Sequence, residues 1–243
     1  MAGGECAFPT ETFVTLLASI LVTTDFSEAS NHAVHRAALI AAHHDARLTL
    51  LNVVDPAGLK RLRARPPAVV IDDKVALAQA ALGRQAAQIS SRHHIHVTQS
   101  VQVGDPLDLI CRMANDADVL VIGPRRINPL RSLMLGTPTE RLLRLVRRPV
   151  LVTKQAVNAP YRKALVAVGP AGQPEPVLRR ASVLGPAASL HLVHALDVTR
   201  QNRLLASDVA TTIVREHGRW ERASALRRLH ACVFHAIPDA IPL

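Results

Sequence analysis

The feature that most constrains the fold of this chain is a regular alternation between short apolar runs and segments with helical spacing. Apolar runs at 18–24, 47–54 and 118–122 are separated by stretches in which apolar residues recur every three or four positions. Such alternation is typical of βαβ units, in which helices join parallel strands. Hydrophobic residues make up 49% of the chain and aromatic residues 2%, so Leu, Val, Ile and Ala must fill the core, as in parallel sheets covered by helices.

Residues 1–157 contain enough elements for one complete α/β domain with an open, parallel, five-stranded sheet and helices on both faces. The expected strands are 18–24, 47–54, a run containing Ile95, Val97, Val101 and Val103, 118–122 and 149–153. Ser27 is expected to cap a helix that ends near His44, and a second helix spans about 69–92. Asp105 and Pro106 start a third helix that ends near Asn115.

Residues 158–243 look like the beginning of a second copy of the same domain. The segment 164–169 matches 20–25, and Arg180-Ala181 matches Arg36-Ala37 at the same spacing. The copy supplies a strand, a helix, a strand around 191–197 and a polar helix from about Ser207 to Cys232. It lacks a counterpart of residues 95–154. We therefore expect a partial second repeat that depends on the first domain or on another chain to cover its apolar faces.

The long loop after the fourth strand, from Gly123 to Thr137, is the candidate binding segment. Open parallel sheets bind ligands beyond the carboxyl ends of their strands, where the strand order reverses, and helix N-termini there offer N–H groups to phosphate. Asp25 follows the first strand at this edge, where its carboxylate either accepts hydrogen bonds from a ligand or serves as a turn or cap residue. Thr137 caps the next helix, binds phosphate, or does both.

Several of these landmarks together resemble the universal stress protein family, in its tandem form. The resemblance covers essentially all of the first unit and the start of the second. It is carried by Thr23-Thr24-Asp25-Phe26-Ser27, Leu51-Asn52-Val53-Val54-Asp55, Val103-Gly104-Asp105-Pro106, Gly123-x2-Arg126-x9-Gly136-Thr137, Glu140-Arg141 and Arg148-Pro149-Val150-Leu151-Val152. The family resemblance implies an adenine-nucleotide α-hydrolase-like fold.

The resemblance also implies a ligand, namely ATP or another adenine nucleotide, accompanied by Mg²⁺. By position, Asp25 and Val53 would contact the adenine and ribose, with Thr23 and Ile122 as flanking walls. The residues expected around the ribose and phosphates are Gly123, Gly136, Thr137 and Pro138. The family further implies a homodimer formed through the last strand, 149–153, and action through association with protein partners, with at most slow ATP hydrolysis rather than an enzymatic role.

Arg126 departs from the family pattern, because nucleotide-binding members have Gly at this position. Its guanidinium either grips a phosphate or, if the backbone needs a positive φ there, alters the loop and lowers ATP affinity. Gly169 occupies the position of Asp25 in the second unit, so at most one nucleotide site per chain is expected. Arg126, Pro138 and Gly169 support an alternative, an interaction protein of the same fold that no longer binds nucleotide.

Charge and motif content exclude or disfavour several other functions. The net charge is +10, but the scarcity of aromatic side chains and the lack of a helix-turn-helix or RNA-binding signature disfavour nucleic acid as a partner. No nucleophile elbow, Walker motif or paired-carboxylate signature is present. The histidine groups, His43-His44 and 93–96, lack metal-ligand spacing and are expected to be solvated surface residues.

Cysteine usage and hydropathy bear on the compartment. The three cysteines, Cys6, Cys111 and Cys232, are odd in number and far apart, which favours a reducing cytoplasm over a disulfide framework. The apolar run at 13–22 is too short to span a bilayer and follows acidic rather than basic residues, so no membrane association is expected.

Overall fold

A computed structural model describes residues 16–59, 67–124, 138–157, 159–169, 175–195 and 211–236. These residues belong to two compact units, one comprising Leu16–Pro160 and the other containing the residues from Tyr161 onward. The boundary expected from the sequence at 157 and 158 stays a prediction about where one repeat ends and the next begins.

The first unit is an open α/β sheet with all of its strands parallel. Its five strands lie in the order β3-β2-β1-β4-β5, which confirms the predicted five-stranded parallel sheet. Along the chain the elements are β1 (Ser19–Thr23), α1 (Glu28–His44), β2 (Arg47–Val54), α2 (Pro56–Leu59), α3 (Pro67–His93), β3 (Val97–Val103), α4 (Pro106–Asn115), β4 (Val119–Ile122), α5 (Pro138–Leu145) and β5 (Val150–Val152).

Helices cover both faces of this sheet, as its strand sequences require. Successive side chains of a strand point to opposite faces, so a strand buried on both sides is continuously apolar. Leu21, Leu51 and Leu120 pack with residues of α4 and α5 in one core cluster. The side chains next to these leucines in each strand point to the opposite face and are also buried. The helices α1 and α3 contact the strands that carry them. The central strands are therefore sealed on both sides.

The helix starts follow the capping signals in the sequence. The Ser27 side chain accepts a hydrogen bond from the N–H of Ser30 at the start of α1, and the Asp105 side chain accepts one from the N–H of Asp108 at the start of α4. Pro106 occupies the first turn of α4, where its missing N–H has no intrahelical partner to lose. Both predicted starts are confirmed.

Two expectations from the sequence need correction. The helix α3 begins at Pro67 rather than near residue 69, because a proline is compatible with the first helical turn. His44 was expected to be a solvated surface residue, but only 4% of it is exposed. It follows Ala37, Ile40 and Ala41 on the stripe of α1 that faces the sheet, and these positions are buried as well.

The second unit contains a smaller parallel sheet. Its elements are β6 (Lys163–Ala167), α6 (Glu175–Leu184), β7 (Ser189–Val193) and α7 (Thr211–Ala236). The strands β6 and β7 pair in parallel, and Val166, Val168 and Leu178 form a small buried cluster between this sheet and α6. The predicted start of the last helix, Ser207, lies outside the described residues, and the helix continues past its predicted end at Cys232. That this unit is a second repeat remains a prediction.

None of the helices in the described part of the chain is long and apolar enough to cross a bilayer.

Candidate functional site

A cleft lies at the carboxyl ends of the central strands of the first unit. After β1 the chain forms β2 and β3 on one side and then crosses to β4 on the other, so the strand order reverses between β1 and β4. The cleft has a volume of about 200 Å³. The described residues that line it are Thr23, Thr24, Asp25, Ser27, Ser30, Leu51, Val53, Asp55, Pro106, Leu107, Ile110, Ile122, Gly123, Pro124, Thr139 and Leu142. Such a reversal point is where open α/β sheets bind ligands.

The turn between β1 and α1 forms one end of this cleft and is anchored to the sheet. The N–H of Thr24 donates to the carbonyl oxygen of Leu51 at 2.9 Å, and the Asn52 side-chain amide donates to the carbonyl oxygen of Thr24 at 2.8 Å. Thr24 and Asn52 are both buried, so each bond satisfies a group that water does not reach. The hydroxyls of Thr24 and Ser30 lie 3.2 Å apart and join the turn to the first turn of α1.

Phe26 occupies a backbone conformation that aromatic residues rarely adopt. Its φ is +63°, in the left-handed region, where most side chains are strained. Two hydrogen bonds hold this turn, because the N–H of Phe26 donates to Thr24 Oγ1 at 3.1 Å and that of Ser27 donates to Asp25 Oδ1 at the same distance. Nothing in the sequence at Phe26 signals this conformation.

Asp25 is an exposed residue at the mouth of the cleft, and its carboxylate stays ionised. The Ser27 hydroxyl donates to Asp25 Oδ1 at 2.5 Å, in addition to the bond from the Ser27 N–H. Burial raises the pKa of Asp25, but the hydrogen bonds from the Ser27 side chain and backbone and from Ser30 lower it and together prevail, so the pKa lies below its ordinary value. The helix cap itself is Ser27, and Asp25 holds that cap in place while lining the cleft.

Gly123 is required by the packing of the first helix against the fourth strand. A Cβ atom added to it would lie 2.6 Å from the carbonyl oxygen of Ala29 and 3.0 Å from the backbone nitrogen of Ser30. Backbone atoms cannot yield as a side chain can, so residue 123 must lack a side chain for α1 to approach this closely. The sequence places Gly123 at the start of a candidate phosphate loop, and this close approach is an independent reason for a glycine there.

The apolar walls of the cleft come partly from residues that the sequence analysis did not assign to the site. Leu107 and Ile110 of α4 and Leu142 of α5 line it together with Val53 and Ile122. Leu107 and Ile110 are three positions apart, so they share one face of α4. Their helical spacing just after the Asp105-Pro106 start is the sequence signal that could have identified them as site residues. It marks the face of α4 that lies against the strand ends.

The structure brings together five of the predicted site residues and leaves the others undescribed. Thr23, Asp25, Val53, Ile122 and Gly123 all line the cleft. Arg126, Gly136 and Thr137 lie outside the described residues. Pro138 is the first residue of α5, and its side chain is likewise not described. The structure thus assembles the side of the site expected to hold the adenine and ribose.

Among the described residues, no three His, Cys, Asp or Glu side chains gather in a way that could hold a metal ion. The charged residues along the described lining of the cleft are Asp25 and Asp55.

The chain is similar to known proteins in sequence pattern and in fold. The sequence model of the universal stress protein family matches residues 18–154. A universal stress protein from Archaeoglobus fulgidus is 20% identical with a TM-score of 0.60, covering 82% of this chain and 73% of that one. A protein of unknown function from Pseudomonas aeruginosa is 22% identical with a TM-score of 0.52, covering 86% of this chain and 69% of that one.

A shorter solved structure covers a smaller share of this chain. The universal stress protein UspA from Lactobacillus plantarum is 24% identical with a TM-score of 0.49, covering 57% of this chain and 99% of that one. At these identities the structural likenesses show the fold. None of the curated proteins matches the chain. The sequence model of the family, however, spans more than half of the chain, and the chain therefore belongs to the universal stress protein family.

Proposed function

We propose that this universal stress protein binds ATP or a related adenine nucleotide in the cleft of its first unit. The observation that carries the proposal is the cleft itself, which places an ionised carboxylate, Asp25, beside apolar walls where the strand order reverses. Ligand sites typically combine such walls with a few polar groups that fix orientation. Membership of the family supports the same ligand class.

Residues of different chemistry in the cleft would contact different parts of the nucleotide. Val53 and Ile122 offer apolar surface to a planar base, with Thr23 and Gly123 beside them. Asp25 accepts hydrogen bonds from an adenine amine or a ribose hydroxyl, because an ionised carboxylate is purely an acceptor. The family pattern assigns Gly123, Gly136, Thr137 and Pro138 to the ribose and phosphates, and Arg126 stands where that pattern has a glycine. Bound nucleotide would bring Mg²⁺, which balances phosphate charge.

We propose further that the protein acts by binding rather than by catalysis. Nucleotide occupancy would alter its association with protein partners in the cytoplasm, the compartment suggested by its cysteine usage. A homodimer through β5 is part of this proposal. The strand β5 lies at the edge of the sheet and is half-buried, and edge strands carry backbone groups that are ready to pair with another chain.

The alternative is an interaction protein of the same fold that no longer binds nucleotide. One observation favours it, because the contact between Gly123 and Ala29 explains this glycine without any ligand. Arg126 in place of the family glycine points the same way. The two functions differ in whether the cleft has measurable affinity for nucleotide.

Calorimetric titration of the full chain with ATP tests the proposal. The Asp25→Asn variant keeps the shape of the turn but removes the charge, and a charge-assisted hydrogen bond contributes about 1.5–3 kcal/mol. We therefore expect Asp25→Asn to weaken ATP binding by roughly tenfold or more. The matched control is Asp45→Asn, at the opposite end of α1, where the left-handed conformation (φ +52°) suits Asn equally well.

Two outcomes would decide between the functions. Lack of binding by the unmodified protein at millimolar ATP would overturn the proposal and favour the interaction protein. Equal losses in Asp25→Asn and Asp45→Asn would remove Asp25 from the site. The Arg126→Gly variant completes the series, since a gain in affinity means that Arg126 impairs the loop and a loss means that it binds phosphate.

A further inference from the structure

The strand β3 forms the edge of the five-stranded sheet that lies opposite β5, and its sequence lacks the features that usually protect such an edge. It is 7 residues long, carries only uncharged Val, Thr, Gln and Ser side chains, and contains no proline. Natural edge strands are commonly short, charged or interrupted by proline, because their unpaired N–H and C=O groups otherwise pair with another strand. Gln99, Gln102 and Val103 are exposed, so this edge is open to solvent.

The hydrogen bonds to β2 show which backbone groups of β3 point outward. The carbonyl oxygen of His96 accepts from the N–H of Leu48 at 3.0 Å, and the N–H of Gly104 donates to the carbonyl oxygen of Val54 at 3.1 Å. Successive residues of a strand direct their backbone groups to opposite sides, so the even-numbered residues of β3 face β2. The odd-numbered residues direct theirs outward, namely Val97, Gln99, Val101 and Val103.

These outward groups are complementary to those of a second copy of the same strand. An antiparallel pair of strands alternates between residue pairs that exchange both backbone hydrogen bonds and residue pairs that exchange none. When two copies of β3 pair about a two-fold axis through Ser100, Val97 faces Val103 and Gln99 faces Val101. Every outward-directed residue then faces another one, so all of these N–H and C=O groups find partners.

The charges near the strand also agree with this register. Within the strand no like charges meet, because it has no charged side chain. Continuing the register places Ile95 of one copy opposite Asp105 of the other. The exposed His94 and His96 then flank this carboxylate, so the two ends of the paired strands carry complementary charge when the histidines are protonated.

The helix α3, which covers β3, leaves room for a second copy. Gly83 lies on the side of the helix next to the strand, since a Cβ added to it would lie 3.5 Å from Gln99 Oε1. The exposed residues Ala76, Ala80 and Ala87 share this side by their helical spacing. The two-fold axis places both copies of α3 on the same face of the joined sheet, and small side chains allow helices to approach each other closely.

We propose that β3 pairs antiparallel with β3 of a second copy of this chain, centred on Ser100, and so joins two five-stranded sheets into one. This interface goes beyond the proposed function, because it uses the edge opposite β5 and requires no nucleotide. If β5 pairs as well, copies join at both edges of the sheet and form assemblies larger than a dimer.

A cysteine cross-link tests the register. In the proposed pair Ser100 faces its own copy without backbone hydrogen bonds, at a Cα separation of about 4.5 Å that suits a disulfide. The full chain is used, with Cys6, Cys111 and Cys232 replaced by Ser. The matched control is Gln102→Cys, which is more exposed but would lie about 13 Å from its own copy.

Under mild oxidation, Ser100→Cys should give at least about tenfold more disulfide-linked dimer than Gln102→Cys, because only the first pair has disulfide geometry. Equal yields from the two variants, or no cross-linked dimer from Ser100→Cys, would overturn the proposed register.

Proline substitutions separate pairing through β3 from pairing through β5. Val101→Pro removes an outward N–H that the sheet itself does not use, which an edge strand tolerates. In β5 the N–H of Thr153 donates to the carbonyl oxygen of Ile122, so Thr153 faces β4 and its neighbour Val152 faces outward. Val152→Pro is therefore the matched variant at the other edge.

Sedimentation velocity of the full chain measures the association, and thermal unfolding checks that both proline variants fold. We expect Val101→Pro to weaken self-association by at least about tenfold, since it removes a donor from the centre of the interface. An unmodified protein that is monomeric at about 100 μM, or an association that only Val152→Pro weakens, overturns the proposal.

Discussion

The segment β1-α1-β2 of the first unit and the segment β6-α6-β7 of the second have the same local architecture in the same register. Ser19 pairs with Arg47 in one, and Lys163 pairs with Ser189 in the other. A side-chain hydrogen bond also recurs, from buried Asn52 in the first segment and from half-buried His194 in the second. Asn52 donates to the carbonyl oxygen of Thr24, and His194 Nδ1 donates to that of Val168, both at 2.8 Å. This equivalence supports the proposed duplication.

The two segments differ in what covers the sheet. Leu21 and Leu51 are 2% and 0% exposed and pack with residues of α4 and α5. The residues at the matching positions of the second segment, Leu165 and Val193, are 72% and 44% exposed. One face of the small sheet packs against α6, while the other face carries solvent-exposed apolar side chains. A shared βαβ sequence pattern therefore sets strand register without ensuring burial.

They differ also in the chemistry of the first turn. In the first unit this turn contains Asp25 and Ser27, which line the cleft, whereas the second has Gly169 in the place of Asp25. Both segments keep the side-chain hydrogen bond to the carbonyl oxygen just before this position, from Asn52 to Thr24 and from His194 to Val168. The second segment thus forms its strand pairing and this bond without a carboxylate directly after its first strand.

The prediction with the largest expected effect tests the difference in burial between the two segments. Leu21→Ala should lower the free energy of unfolding by about 2–5 kcal/mol, because it leaves a cavity in a closed core. Leu165→Ala should change it by no more than about 0.5 kcal/mol, because the side chain is mostly in solvent. Urea denaturation of both variants measures the contrast. A comparable loss in Leu165→Ala would mean that another surface covers this face in solution.

A second pair of variants tests the approach of α1 to the sheet. Gly123→Ala should destabilise the protein by about 1–3 kcal/mol, since the new Cβ meets the backbone of Ala29. Gly169→Ala is the matched control, because a Cβ there has no neighbour within 4 Å. It should be neutral or slightly stabilising through the unfolded chain. Thermal unfolding curves compare them, and equal melting temperatures would contradict the packing role of Gly123.

The sequence predicted most of the fold because its strongest signals are local. Apolar runs, Ser27 as a cap and the Asp105-Pro106 start each report on a few neighbouring residues, and the five-stranded sheet followed from their order. The positions of Leu107, Ile110 and Leu142 depend on how helices pack at the strand ends. That packing is tertiary. Helical spacing shows that Leu107 and Ile110 share a face and that His44 lies on the apolar stripe of α1, but it does not show what these faces pack against.

The prediction with the smallest expected effect concerns the negative charge of Asp25, which the second segment lacks. The bonds from Ser27 hold the pKa of Asp25 below its ordinary value of 3.8, so the ionised form is favoured in the folded state. The resulting stability is fully present above that value and is lost as the pH falls through the lower, folded-state pKa. Solvent screening keeps the effect small at this exposed residue.

Urea unfolding between about pH 3 and 7 compares the unmodified protein with Asp25→Asn. The difference in free energy of unfolding should be constant near neutral pH and should shrink toward the acid end, because only the unmodified protein loses a favourable charge. Ser27→Ala, which removes the hydroxyl that donates to Asp25 at 2.5 Å, should reduce this pH dependence as well. A difference that instead grows toward low pH would mean that burial raises the pKa of Asp25 by more than these bonds lower it.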